Sequence, residues 1–133
     1  MGRILRTAGL AVALAAAAAV TRVVRYEIAE HSMEPTLSAG DWVVGIRSPR
    51  RVRLGDVVVA EHPDRPGFEV VKRVTAVGRH DRDEGPPLAP GELWLEGDAG
   101  IGVDSTDFGP VLATAVRARL GLRYRPLPPR FIR

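Results

Sequence analysis

The chain has 133 residues, with 19 Lys and Arg against 16 Asp and Glu, a formal net charge of +3 and an isoelectric point near 10.1. That length suits one domain with a modest core. The absence of cysteine excludes a disulfide framework, a thiolate zinc site and a cysteine nucleophile. Two Trp, two Tyr and three Phe are too few for a platform on which single-stranded nucleic acid could stack, so no nucleic-acid partner is expected.

The N-terminus reads MGRILRTAGLAVALAAAAAVTRVVRYEI, with no charge between positions 7 and 21 and Arg3, Arg6, Arg22 and Arg25 on either side. The run is short against the roughly 20 apolar residues of a spanning helix. A cleaved signal peptide is the competing reading, but strand-like sequence follows within a few residues and leaves little room for a cleavage site. The expectation is therefore an apolar anchor helix over 1–24. It implies single-pass attachment to membrane lipid, with the folded domain favoured on the extracytoplasmic side.

Short β-rich stretches follow at 25–29, 42–46, 57–61, 68–77, 92–96 and part of 113–124, separated by SAGD, SPRR, LGD, HPDRPG, DEGPPLAPG, GDAGIG and FGP. Regularly spaced short strands of this kind predict a mainly β domain over 25–125, a small barrel or folded sheet. The polar, Pro-rich stretch 79–90 reads as a surface loop. The basic excess lies in VRARLGLRYRPLPPRFIR, read as a solvated, partly disordered terminus with anionic lipid head groups as an alternative partner, and 126–133 within it as a basic, Pro-rich tail.

Two stretches carry chemistry. The first is FEVVKRVTAV, residues 68–77, which holds the chain's one lysine among 18 arginines. As a strand it sets Phe68, Val70, Lys72, Val74 and Ala76 on one face, and Glu69, Val71, Arg73, Thr75 and Val77 on the other. An ammonium on an apolar face must find a partner or lose its proton. Burial lowers a lysine pKa, whereas a guanidinium stays protonated. A snorkelling lysine with a wet head group is the alternative.

The second stretch is HSMEPTLSAGD, residues 31–41. Pro35 stiffens the backbone just after Ser32. A serine near a proline is ordinarily turn chemistry, but a lysine with a lowered pKa is one of the bases that can activate a serine hydroxyl.

Read together, SMEPTL, GDWVVGI, LGDVVVAEHP, VVKRVTAVG and EGDAGIGVDSTDFGPV resemble, in order and spacing from about residue 27 to 125, the boxes of the type I signal peptidase family of serine endopeptidases. The resemblance implies a compact β-fold and a Ser/Lys dyad, with Ser32 as nucleophile and Lys72 as general base. It implies an oxyanion donor in the Ser32 backbone N–H, and Met33, Pro35, Asp98, Asp104 and Ser105 as supporting or cleft residues. It also implies no metal and no cofactor. The substrate implied is a precursor protein with an N-terminal propeptide or signal peptide.

The chain departs from the family pattern at Glu30, Ala99, Gly102 and Thr106, and only a short segment stands where larger members carry an extra β-domain. DSTDFG and RYRP resemble the nickel-type superoxide dismutase maturation proteases, a branch of the same family, so maturation of that enzyme is the expected function. The alternatives are a general signal peptidase and a catalytically silent binding module of the same fold.

Other chemistries fare worse. A Ser–His–Asp triad needs a histidine beside Ser32, but His31 points away in extended chain, and His62 and His80 read as solvated turn residues. Three scattered histidines show no ligand spacing. Self-cleaving repressors also use a Ser–Lys pair, but nothing here reads as a recognition helix.

Overall fold

A computed structural model describes residues 12, 14–16, 22–78 and 85–133. The anchor helix expected over 1–24 lies mostly outside the described residues, as do His80 and the first half of the polar loop, residues 79–84. Among the described residues no helix is long and apolar enough to cross a membrane.

The strands are β1 (Val23–Glu27), β2 (Trp42–Arg47), β3 (Val57–Glu61), β4 (Glu69–Val77), β5 (Glu92–Glu96), β6 (Val111–Leu112), β7 (Val116–Arg125) and β8 (Arg130–Phe131). One short helix, α1 (Ser105–Phe108), stands between β5 and β6, and a 3₁₀ turn (Ala113–Ala115) precedes β7. All eight strands join one sheet, in the order β1-β2-β7-β3-β4-β5-β6 with β8 on β7, and the pairs are antiparallel. The mainly β expectation holds, as a folded sheet.

Its folding shows in β3. Val57, Val58, Val59 and Ala60 are all buried, but alternate residues join different clusters. Val57 and Val59 pack with Ile28, Met33, Leu37, Val43, Ala118 and Leu120. Val58 and Ala60 pack with Val74, Leu93, Leu95, Val111 and Val116. Successive side chains point to opposite faces, so a run of four apolar residues marks a strand covered on both sides. Lys72 lies opposite Val58, on the face of the second cluster. Met33, next to Ser32, belongs to the first. Serine and lysine therefore approach each other from different halves of the core.

Turn chemistry is shared between the two Gly-Asp turns. Asp41 accepts from Ser38 N–H at 2.9 Å and Asp56 from Arg53 N–H at 2.8 Å, each closing a turn before a strand.

Three details depart from the sequence reading. β1 begins at Val23, two residues earlier than expected, because its register with β2 runs from Val23↔Ile46 to Glu27↔Trp42. Residues 113–115 turn rather than extend. The segment 126–133 stays exposed apart from Ile132, but it is not unpaired: it doubles back so that Leu122 pairs with Phe131 and Arg123 with Arg130. Ile132 then packs against the first cluster.

Candidate active site

Ser32 opens a turn whose backbone is closed by Leu37 N–H donating to Met33 O at 2.9 Å. Met33 is fully buried and Pro35 exposed, and the Glu34–Pro35 peptide is cis. The turn is anchored by apolar burial at Met33 and Leu37, which leaves Ser32 at the edge of the core with 6% of its surface accessible.

Lys72 comes from the middle of β4, whose burial alternates as expected, with Val70, Lys72 and Val74 inward. It is 1% exposed. Among the described residues its Nζ is buried without a hydrogen-bond partner. The snorkelling alternative, which needs a wet head group, is therefore not what the fold builds. Burial drives the amine below its ordinary value of 10.5, while the carboxylates of Asp104, Glu30 and Asp107 pull it partly back.

The two side chains meet at Gly102. A Cβ on that residue would lie 3.1 Å from Ser32 Cβ, 3.5 Å from Lys72 Nζ and 3.9 Å from Ser32 Oγ. Hydroxyl and amine thus flank one point in space. They are not hydrogen-bonded to each other, a looseness common in catalytic pairs without substrate.

The loop 97–102 holds the serine from behind. Ala99 N–H donates to Ser32 O at 3.0 Å, and a Cβ on Gly97 would lie 2.5 Å from that carbonyl oxygen. Asp98 in the same loop does not face the hydroxyl. Its Oδ1 accepts from Arg73 Nε and its Oδ2 from Arg73 Nη2, both at 2.7 Å, and Thr36 Oγ1 donates to Oδ2 at 2.5 Å. Planar bidentate pairing of this kind is strong and directional. It holds the Asp98 carboxyl below its usual 3.8, with Thr36 adding to the effect, and raises Arg73.

Asp104 and Ser105 are buried and act on α1. Asp104 Oδ1 accepts from Thr106 N–H at 2.8 Å and from Thr106 Oγ1 at 2.6 Å, while Asp107 Oδ2 accepts from Asp104 N–H at 3.1 Å, a reciprocal cap. Ser105 Oγ accepts from Leu95 N–H at 2.9 Å and ties α1 to β5. Of the two, Asp104 also acts on Lys72 through its charge.

Arg73, Thr36 and Arg130 went unnoticed in the sequence as site residues. Alternation did assign Arg73 to the outer face, but nothing local names Asp98, 25 residues on, as its partner.

Among the described residues no histidine competes for the serine. His31 Nδ1 pairs with Glu34 Oε1 at 2.7 Å on the surface. His62, expected in a solvated turn, is instead buried: its ring stands 6.0 Å from that of Phe68 and 4.7 Å from that of Phe108, and its Nδ1 accepts from Asp64 N–H. Among the described residues no cluster of His, Asp and Glu is arranged to hold a metal ion.

A cavity of about 290 Å³ opens beside Ser32, lined by residues that include Tyr26, Ile28, Glu30, Met33, Phe68 and Val71. Its walls are the continuation of β1 and the start of β4. β1 ends the sheet, and β5 pairs with β4 only from Arg73 onward, so among the described residues backbone edges on both walls have no strand partner.

Residues 1–80 match the family described as signal peptidase, peptidase S26. Subunit 1 of the mitochondrial inner membrane protease of Xenopus tropicalis is 33% identical over 109 residues, covering 72% of this chain and 65% of that protein. The human subunit 1 is 30% identical over 109 residues, covering 72% and 66%. Subunit 2 from Schizosaccharomyces pombe is 36% identical over 76 residues, covering 51% and 42%. The chain thus spans about two thirds of the length of the subunit 1 relatives. These relatives are inner membrane protease subunits, and none of them points to superoxide dismutase maturation.

Proposed function

Because the chain belongs to the peptidase S26 signal peptidase family, we propose that it is a serine endopeptidase that removes an N-terminal segment from precursor proteins, with Ser32 as nucleophile and Lys72 as general base. One observation carries the reading: the chain's only lysine is buried, its Nζ has no partner, and it flanks the same point as Ser32 Oγ. A structural role would be filled equally well by arginine, and arginine cannot become a neutral base.

The chemistry follows from that pair. Lys72 Nζ takes the proton from Ser32 Oγ as the oxygen attacks the scissile carbonyl carbon. The carbonyl oxygen becomes an oxyanion, for which the Ser32 backbone N–H is the proposed donor. The resulting ammonium gives its proton to the leaving amine nitrogen, and the C–N bond breaks to leave an acyl ester on Ser32. Water, deprotonated by the same amine, then attacks the ester, and the proton passes back to Ser32 Oγ. The unpaired edges beside the cavity suit an extended substrate segment, bound by main-chain hydrogen bonds.

The relatives' name brings a membrane setting, and we place the substrate among membrane-directed precursors. Their subunits support this general signal-peptidase reading better than maturation of nickel-type superoxide dismutase, which rests on DSTDFG and RYRP alone. The test is cleavage by purified protein of a secretory preprotein, an inner-membrane precursor and a nickel superoxide dismutase precursor. Wild type should cut at least one of the first two, and Ser32→Ala none. Cleavage of the dismutase precursor alone would return the function to that branch. No cleavage by wild type would leave the silent module, and equal cleavage by Ser32→Ala would reject Ser32 as the nucleophile.

A further inference from the structure

We propose that the segment running through β8 is a positioning element of the active site, in which Arg130 latches the nucleophile turn to the lysine strand. The inference rests on the reading of Ser32 and Lys72 as a catalytic pair.

β8 is only two residues long, and a pairing that short is marginal by itself. Three further contacts seat it: Ile132 N–H donates to Gly121 O at 3.0 Å, Arg123 Nη2 donates to Pro128 O at 3.2 Å, and Ile132 packs on the first cluster. From this seat Arg130 Nη2 donates to Thr36 O at 2.8 Å. Thr36 closes the turn that Ser32 opens. In the other direction Arg73, the residue after Lys72, donates from Nη2 to Arg133 O at 3.0 Å.

The segment therefore touches both chain pieces that supply the dyad, one through the Arg130 guanidinium and one through the Arg133 main-chain oxygen. Asp98 bridges the same pieces by a separate route, through Thr36 Oγ1 and the Arg73 fork. Between these bridges, the separation of Ser32 and Lys72 is set by contacts that neither residue makes.

Position and stability come apart here. The Arg130 and Arg133 contacts are solvent-exposed, and exposed polar contacts add little to global stability. Reaction geometry is far less forgiving, since a misplacement of about 1 Å can lower a rate by about a hundredfold. The loss of the Arg130 contact should thus appear in turnover before it appears in folding.

The test uses the full chain as wild type, Arg130→Ala, Arg130→Lys and Arg51→Ala, the last removing an exposed arginine remote from these contacts. Turnover and KM are measured on whichever precursor wild type cleaves, and the thermal midpoint is measured alongside. Because Lys72 is the chain's only lysine, lysine labelled with ¹³C gives one side-chain amine signal whose titration follows the base directly. The latch predicts that Arg130→Ala loses about tenfold in kcat, with KM and midpoint held and the Lys72 titration displaced upward as water reaches the loosened pair. Arg130→Lys should recover part of the loss, and Arg51→Ala should match wild type. Unchanged kcat and unchanged titration in Arg130→Ala would overturn the proposal. So would a loss accounted for by a fallen midpoint. Should wild type cleave nothing, the protease reading fails, while the Lys72 titration still decides the latch: displaced in Arg130→Ala it stands, and unmoved it falls.

Discussion

The two faces of β4 treat their cations in opposite ways. On the inner face Lys72 is sealed against the second cluster's side of the core with no partner for its amine. On the outer face, one residue on, Arg73 donates to both Asp98 oxygens, to Gly55 O at 2.8 Å, and to Arg133 O. A charge with so many acceptors is locked in place and in protonation state. A nitrogen with none is held ready to lose its proton. The contrast separates two jobs that a buried cation could be given, fastening and reacting, and under the proposed function they fall to arginine and lysine in turn.

The largest expected effects come from erasing that contrast on the inner face. Lys72→Arg should lose about 10²- to 10⁴-fold in turnover, the usual worth of a positioned general base, and should also lose stability, because its guanidinium stays charged in a buried site. Lys72→Met should lose as much activity yet gain stability, by about 1–3 kcal/mol at neutral pH, since it removes a buried polar group that has no partner. The gain should depend on pH. The folded-state pKa of Lys72 lies below 10.5, so between the two values the unfolded chain binds the extra proton, and wild-type stability rises with pH across that window. Below the lowered pKa wild type bears the full penalty. Thermal midpoints of the two proteins should therefore converge toward alkaline pH. A constant gap would mean that the amine is not desolvated.

On the outer face the expected effect is smaller and falls on stability first. Asp98→Asn takes away the charged acceptor of the Arg73 fork, where both groups are mostly buried, and should cost about 1–3 kcal/mol. The sign with pH is the reverse of that for lysine. Asp98 is depressed below 3.8, so its contribution is whole above that value and fades as pH falls through the folded-state pKa. Denaturation of wild type and Asp98→Asn at pH 7 and at strongly acid pH measures this, with the difference shrinking in acid. Because Lys72 and Ser32 are supported through the same bridge, turnover should also fall.

How much of this was legible in the sequence depends on range. Alternation within 68–77 set Lys72 inward and Arg73 outward, and both orientations hold, because period-2 geometry is local. The strands around the site follow from β-branched runs and Gly-Asp turns for the same reason. What could not be read were partners across the fold: Asp98 for Arg73, Thr36 O for Arg130, the rings around His62. The basic segment 126–133 is exposed, as its composition suggests, but composition gave no sign of its pairing with β7 or of Ile132 reaching the first cluster. Composition reports what a segment can do alone. The register of β7, which gives one edge to β3 through Leu120 and then to β8 from Leu122, exists only once the sheet is closed.

The finest test of the inner face lies in the loop that passes beside serine and lysine. Gly100 and Gly102 both have positive φ, +67° and +88°, so an alanine at either is strained by the backbone alone, by about 1–2 kcal/mol. Their surroundings differ. A Cβ on Gly100 meets nothing within 4 Å, whereas one on Gly102 stands 3.1 Å from Ser32 Cβ and 3.5 Å from Lys72 Nζ. The two substitutions should therefore lower the thermal midpoint by similar amounts, and only Gly102→Ala should reduce turnover, because its methyl presses on the pair itself. Backbone strain is common to both variants and cancels in the comparison. Equal activities in Gly100→Ala and Gly102→Ala would show that the space between hydroxyl and amine is not used by the reaction, and the inner face of β4 would lose its claim to be the reactive one.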